Sequence, residues 1–403
     1  MRRLALQAPV LVLLLLTGCS CSSGPLSWRA ELQQGAPPAT QGAPQARAPQ
    51  RFTWHERARL PAPYRQVGDL VSTPEGLIIA ASIDALTVDG AAIFRLGPDG
   101  SLERLFKWDG QGFLRVAALG NHLFVPDADP PFGVLDYAFS GDVEGYVFVS
   151  DVEGKFDEDW REVLPASYHV FDVARLAGGL LVASTGAYPQ GETAYFADHA
   201  PAALFGDDGP DKPWRRLLEY PSREAAGVSR FTWLLPLADG ALLAGIQTSR
   251  GDLPHAVRIE GLQDAPRVVA VTGLPNEPLR WFAWRDRVFA LTAADGSRDR
   301  LTGRLRQTVL LVSRDGGRSF APVPGAPGLP LALASLGESL YLLDGGALYR
   351  SPDGEHFKQV SEPSLELLEK PTLLVNHTLV VHGGSLWSAN PLTGQLLEAV
   401  PEP

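Results

Sequence analysis

From residue 51 onward the apolar residues fall in runs of four to seven, separated by Gly, Asp, Asn and Pro. No stretch holds a helical period; this is the pattern of strands and turns. The runs also repeat. A short apolar strand, a tight turn and a second apolar strand recur from Gly68, Leu114, His169, Phe231, Leu279, Leu331 and Pro371, as in LRVAALGNHLFVPDA and LRWFAWRDRVFALTA. A third strand, a turn and a fourth strand follow, the fourth beginning at Leu102, Trp160, Trp214, Arg267, Phe320, Phe357 and Gln395. Those starts lie about 55 residues apart in the first blades and about 38 in the last two, which is the spacing of propeller blades. The pattern predicts an all-β chain, a seven-bladed β-propeller of four-stranded antiparallel blades, with six and eight as the bracketing counts. An eighth copy of the fourth strand, WHERARLP from Trp54, precedes the first blade. Trp54 and Gln395 thus compete to close the ring, leaving blade 7 with five strands or with its C-terminal strand outside.

The first fifty residues have a different character. Arg2 and Arg3 precede an apolar run of about a dozen residues, the length of a signal-peptide core and too short for a permanent span. The run ends Leu16-Thr17-Gly18-Cys19. That ending resembles the lipobox of bacterial lipoproteins; a secretory signal with a chance cysteine is the competing reading. The resemblance implies cleavage after residue 18 and acylation of Cys19, and several acyl chains anchor stably where one is marginal. Ser20, where an inner-membrane retention signal has aspartate, favours the outer membrane of a diderm host. Residues 19–50 then form a lipidated start and tether: GAPPATQGAPQARAPQ, from Gly35, contains no Leu, Ile, Val or aromatic residue and has nothing to bury. The expected division is a signal peptide at 1–18, a tether at 19–50 and the propeller at 51–403.

Charge and cysteine content narrow the function. The formal net charge is −11, and loss of Arg2 and Arg3 makes it more negative. Nucleic-acid binding needs a basic face and is not expected. The two cysteines, Cys19 and Cys21, both lie at the anchor, so the fold has no disulfide and no thiolate metal site. It stands on its apolar core.

Residues 313–320 read SRDGGRSF, matching the Asp-box pattern S-x-D-x-G-x-[ST]-[WF] at Ser313, Asp315, Gly317, Ser319 and Phe320. A shortened copy follows at Ser351, Asp353, Gly354 and Phe357, with weaker echoes around Asp99 and Asp208. The carboxylate is expected to accept backbone N–H bonds across the third-to-fourth-strand hairpin while glycine permits positive φ. These motifs resemble the blades of sialidases, sortilin-type receptors and photosystem-assembly propellers. In those families the box lies away from the active face, so the resemblance implies a structural role for these residues.

The connections between second and third strands share a face with the joins between blades, where propellers normally bind. Long ones are expected near 126–145, 184–202 and 292–307, and tight ones at Asp344-Gly-Gly and His382-Gly-Gly. Between Asp127 and Asp159 ten acidic residues face Lys155 alone. Asp127 and Asp129 could hold calcium, but no calcium-loop spacing supports it, and a solvated acidic rim is the simpler reading. No cofactor is therefore expected. The blade 3 loop carries Tyr188, Tyr195, Phe196 and His199, suited to sugar stacking or a protein contact, or to packing on a neighbouring blade. His169 and Asp172 open blade 3 near the inner rim.

Two functions remain. One is a membrane-anchored module of the cell envelope that binds a protein or glycan without catalysis. The other is a sialidase-like glycoside hydrolase, whose resemblance implies three arginines on a carboxylate, a Tyr nucleophile and an Asp acid. Such enzymes resemble one another in an Arg-Ile-Pro near the first blade, whereas Arg65 here is followed by Gln66-Val67. Arg230 and Arg280 also open blades.

Overall fold

A computed structural model describes residues 51–84, 90–110, 112–127, 144–151, 153, 156–165, 167–187, 201–207, 213–221, 229–248, 250–296, 307–367 and 377–402. Cys19, Asp129, Tyr188, Tyr195, Phe196 and His199, with the signal and tether segments, lie outside the described residues. The chain forms seven four-stranded antiparallel sheets, each a blade of a propeller. Six blades are laid down in sequence order, from Gln66–Thr73 as the innermost strand of blade 1 to Lys358–Gln359 as the outermost of blade 6.

Blade 7 settles the closure. Its innermost strand is Leu379–His382, followed by Ser385–Ala389, Gln395–Pro401 and, outermost, the N-terminal strand Phe52–Arg59. Trp54 and Leu386 both face Ala399 in register, from opposite sides of the third strand. The closing place therefore belongs to Trp54 and its neighbours, and the strand at Gln395 is third, not fourth. The expected first strand from Pro371 shifts likewise, since the innermost position is filled from Leu379; residues 371–376 lie outside the described set. His382-Gly-Gly consequently joins the first and second strands and opens on the opposite face from that expected. With three strands left at its C-terminus, the last blade takes its edge from the chain start. Phe52 locks that edge: its N–H donates to Val360 O at 2.7 Å and its ring meets Tyr341 edge-on at 5.7 Å.

The apolar runs are continuous because both faces of each sheet are covered. Between blades 1 and 2, Ile78, Ile93 and Phe106 pack on Phe113, Leu123 and Phe148. Between blades 7 and 1, Trp387 and Leu396 pack on Leu77, Ile79 and Phe94. A strand sandwiched in this way loses the polar alternation of a half-exposed sheet.

The 313–320 hairpin folds around Asp315. Ser313 Oγ donates to its Oδ1 at 2.7 Å, the N–H groups of Arg318 and Ser319 donate to the same oxygen at 3.0 Å, and Ser319 Oγ donates to Oδ2 at 2.6 Å. Gly317 has φ +80°, and a Cβ there would lie 2.7 Å from Leu243 of blade 4. Phe320 is buried beside Leu243 and Val271, and its N–H donates to Thr272 O at 3.0 Å, so the hairpin joins blades 4 and 5. The shorter copy repeats this between blades 5 and 6: Glu355 and His356 N–H donate to Asp353 Oδ1 at 2.9 Å, and a Cβ on Gly354 would meet Trp284 at 2.9 Å. Phe357 packs with Trp284 and Phe289.

The hydroxyls and N–H groups around Asp315 hold its carboxyl down to about 2, against opposing partial burial. The N–H groups it serves are exposed rather than buried, so Asp315→Ala should cost on the order of 1–2 kcal/mol. A depressed carboxyl contributes stability above its unfolded value near 4 and loses it as pH falls through about 2. The melting-temperature gap between wild type and Asp315→Ala should therefore be full at pH 7 and narrow between pH 4 and 2. A gap that stays constant with pH would remove the charge from this account.

Candidate functional site in the central channel

The innermost strands carry an irregularity at a common level. Their register slips between Val67 and Asp69, Tyr168 and Asp172, Phe231 and Leu234, Pro278 and Arg280, and Pro330 and Ala332. Such bulges re-aim the side chains that follow them. In blade 3 the bulge holds His169 at φ +56°, uncommon for a residue with a Cβ. In blade 1 it holds Gly68, where a Cβ would stand 2.1 Å from Phe113 O. That close approach seats residues 113–116 against blade 1 and delivers Arg115 into the channel.

Four charges meet there. Arg115 donates through Nη1 to Asp69 Oδ2 and through Nε to Asp172 Oδ1, both at 3.1 Å. Arg280 donates through Nη2 to Asp69 Oδ1 and to Gly68 O, both at 3.2 Å. Its guanidinium lies 4.9 Å from the Trp233 ring centre, a cation–π distance. Backbone N–H groups complete the carboxylates: Val116 on Asp69 at 3.2 Å, and Val173 and Leu234 on Asp172 at 2.9 and 3.0 Å. Residues of blades 1, 3, 4 and 5, with the segment entering blade 2, are thus tied across the disc.

Burial sets the electrostatics. It pushes the Asp172 carboxyl up, with Arg115, the Leu234 N–H and Arg280 pulling it back. It lowers Arg280, and the like charge of Arg115 adds to that fall while Asp69 opposes it. Arg115 ends above its ordinary value because two carboxylates outweigh its desolvation.

Beside this network lies a cavity of about 200 Å³, on the side of blades 5, 6 and 7. Arg280, Arg115 and Asp69 form its charged end; Leu70, Phe282, Leu333 and Val380 make apolar wall, and His377 and Thr378 lie on it. Two Arg280 nitrogens, Nε and Nη1, and Thr378 Oγ1 are buried without a hydrogen-bond partner among the described residues.

Of the sequence candidates, Asp172 is a full member of the network. His169 sits in the bulge with its ring 6.2 Å from Phe171. Asp127 is not on an exposed rim: it is 2 % exposed, and Trp108 Nε1 donates to its Oδ2 at 2.9 Å. Its carbonyl accepts from Val170, joining blades 2 and 3. Among the described residues no three His, Cys, Asp or Glu side chains gather as a metal site would require. Asp69 and Arg115 were missed. Their signal was present, since each is a lone charge in an apolar segment at the start of a blade, as Asp172 and Arg280 are.

No protein-family model matches the sequence, and no curated protein does. Solved structures show the fold. A streptogramin B lyase superposes at TM-score 0.53 with 11% identity, over 89% of this chain and 100% of its own. The Neurospora crassa Pan2 WD40 domain does so at TM-score 0.55 and 10% identity, over 88% and 97%. A Trypanosoma rangeli sialidase reaches TM-score 0.41 at 10% identity, over 75% and 56%, too loose to carry an argument. At such identities the likeness is one of fold alone, shared by proteins of unlike function.

Proposed function

We propose that this chain is a lipid-anchored binding module of the bacterial cell envelope, a propeller that holds a protein or glycan and does not turn it over. The observation that supports this is the state of the channel carboxylates. A glycoside hydrolase needs an acid free to give up a proton and a carboxylate or tyrosinate free to stabilise the sugar cation. Asp69 and Asp172 are each taken up by arginine and by backbone N–H groups. Arg115 and Arg280 do converge, but Arg115 is taken up by Asp69 and Asp172, so they make no triad of arginines free for one carboxylate as a sialidase-like reading asks. The hairpins at Asp315 and Asp353 act as Asp-boxes in this reading and serve the ring, not the ligand. The contact surface is assigned to the long connections of blades 2 and 3, with Tyr188, Tyr195, Phe196 and His199 as anchors and acidic charge steering a basic partner. The anchor is Cys19, which places the disc at a membrane surface, the outer membrane in a diderm host.

Cys19→Ser should abolish acyl labelling and leave an unprocessed precursor; a variant that matures and fractionates like wild type contradicts the anchor. For the disc, full-length protein and a variant with residues 188–200 replaced by a Gly-Ser turn should be compared on a glycan array and in crosslinking to solubilised envelope. The reading expects a defined partner lost in the variant at unchanged melting temperature, and no release of fluorophore from a methylumbelliferyl sialoside. Equal capture by both proteins contradicts the surface, and sialoside turnover contradicts the binding role.

A further inference from the structure

We infer that the channel cavity is a binding site for a small apolar monocarboxylate, held at its charged end by Arg280. This goes beyond the partner reading above and does not depend on the loops that carry it.

The argument begins with an imbalance among the four charges. Arg115 faces carboxylates on two sides, each at 3.1 Å, and between them they satisfy it. Arg280 has one carboxylate contact, at 3.2 Å with one oxygen of Asp69 whose other oxygen is committed to Arg115, and the same Nη2 also serves Gly68 O while the Trp233 ring lies against the guanidinium. Its side chain is nonetheless only 15 % exposed. A guanidinium carries five N–H donors in a fixed plane, and burying donors without acceptors is costly. Nε and Nη1 of Arg280 are in that condition among the described residues, and they belong to a residue that lines a cavity. A carboxylate is the acceptor that a guanidinium pairs with most strongly.

The remaining wall fixes what the carboxylate is attached to. Away from the charged end made by Arg280, Arg115 and Asp69, the side chains of Leu70, Phe282, Leu333, Ala332 and Val380 offer no polar group. A sugar body would bury its hydroxyls there unpaired. Thr378 Oγ1, beside His377 on the same wall, supplies a further polar atom for a second contact to a carboxylate oxygen. A cavity near 150 Å³ accommodates benzene, so about 200 Å³ suits a ring or short chain bearing one carboxylate. A doubly charged ion is disfavoured because two aspartates already stand beside the two arginines, and extra negative charge would be repelled by them.

Benzoate is a fitting probe. Titration calorimetry on the full chain should show one benzoate site, with Kd on the order of 0.1–1 mM for so small a ligand. Benzamide, inorganic phosphate and N-acetylneuraminate should bind at least tenfold more weakly. Arg280→Leu should abolish benzoate binding. Because that change also strips Asp69 of a partner, Ala332→Leu gives an independent arm: it fills the cavity, leaves every charge in place, and should weaken benzoate at least tenfold. Absence of benzoate binding at 10 mM overturns the inference, as does unchanged affinity in Ala332→Leu. Equal binding of benzamide overturns the carboxylate, and tighter binding of phosphate or N-acetylneuraminate overturns the apolar body. None of these results alters loop-dependent partner capture, so the two readings fail separately.

Discussion

The chain of charges through Asp69, Arg115, Asp172 and Arg280 is the interaction on which the centre of this disc depends. A propeller closes its blades around an axis where backbone bulges and side chains must fill a narrowing space. Here that space holds two aspartates and Arg280 largely taken out of water, with Arg115 part-exposed between the carboxylates, a penalty recovered only where each partner is well placed. The bulges in the innermost strands, the close approach at Gly68 and the N–H groups of Val116, Val173 and Leu234 provide that placement. Four blades and the segment entering a fifth are thereby held in one register, and the same geometry leaves Arg280 incompletely satisfied beside a cavity.

Outside the centre the structure rests on ordinary burial. Each gap between blades is a separate apolar core, and the hairpins at Asp315 and Asp353 stitch neighbouring blades along the outer part of the disc. Arg258 shows how closely hairpin and blade are joined. It is 2 % exposed, donates through Nε to Gly316 O at 3.0 Å, and pairs through its other nitrogens with Glu260 and Asp239. These contacts hold the hairpin against the neighbouring blade.

Much of the fold was legible because a blade is a local object: four strands follow one another, and their turns announce themselves through Gly, Asp and Asn. The seam was harder, because pairing of Phe52–Arg59 with Gln395–Pro401 spans the whole chain, and no local pattern says which of two similar strands lies third and which fourth. The site was harder still. Asp172 and Arg280 were visible as charges that open blades, but they meet Asp69 and Arg115 from segments far apart in sequence, and only the closed ring makes them neighbours. Asp127 misled because its acidic surroundings in sequence hide a partner, Trp108, on the preceding blade.

The claim that these charges form a mutually locked set is tested most directly by a double-mutant cycle on Asp172→Asn and Arg115→Met, read by equilibrium denaturation. Arg115→Met strands the buried Asp172 and should cost about 3–5 kcal/mol. Asp172→Asn leaves a part-exposed Arg115 that keeps Asp69 and should cost less, about 1–3 kcal/mol. The double variant should lose less than the sum, with a coupling of about 1–3 kcal/mol. Single variants within about 0.5 kcal/mol of wild type, or strictly additive losses, would show that water screens these charges and that the channel is not held by them.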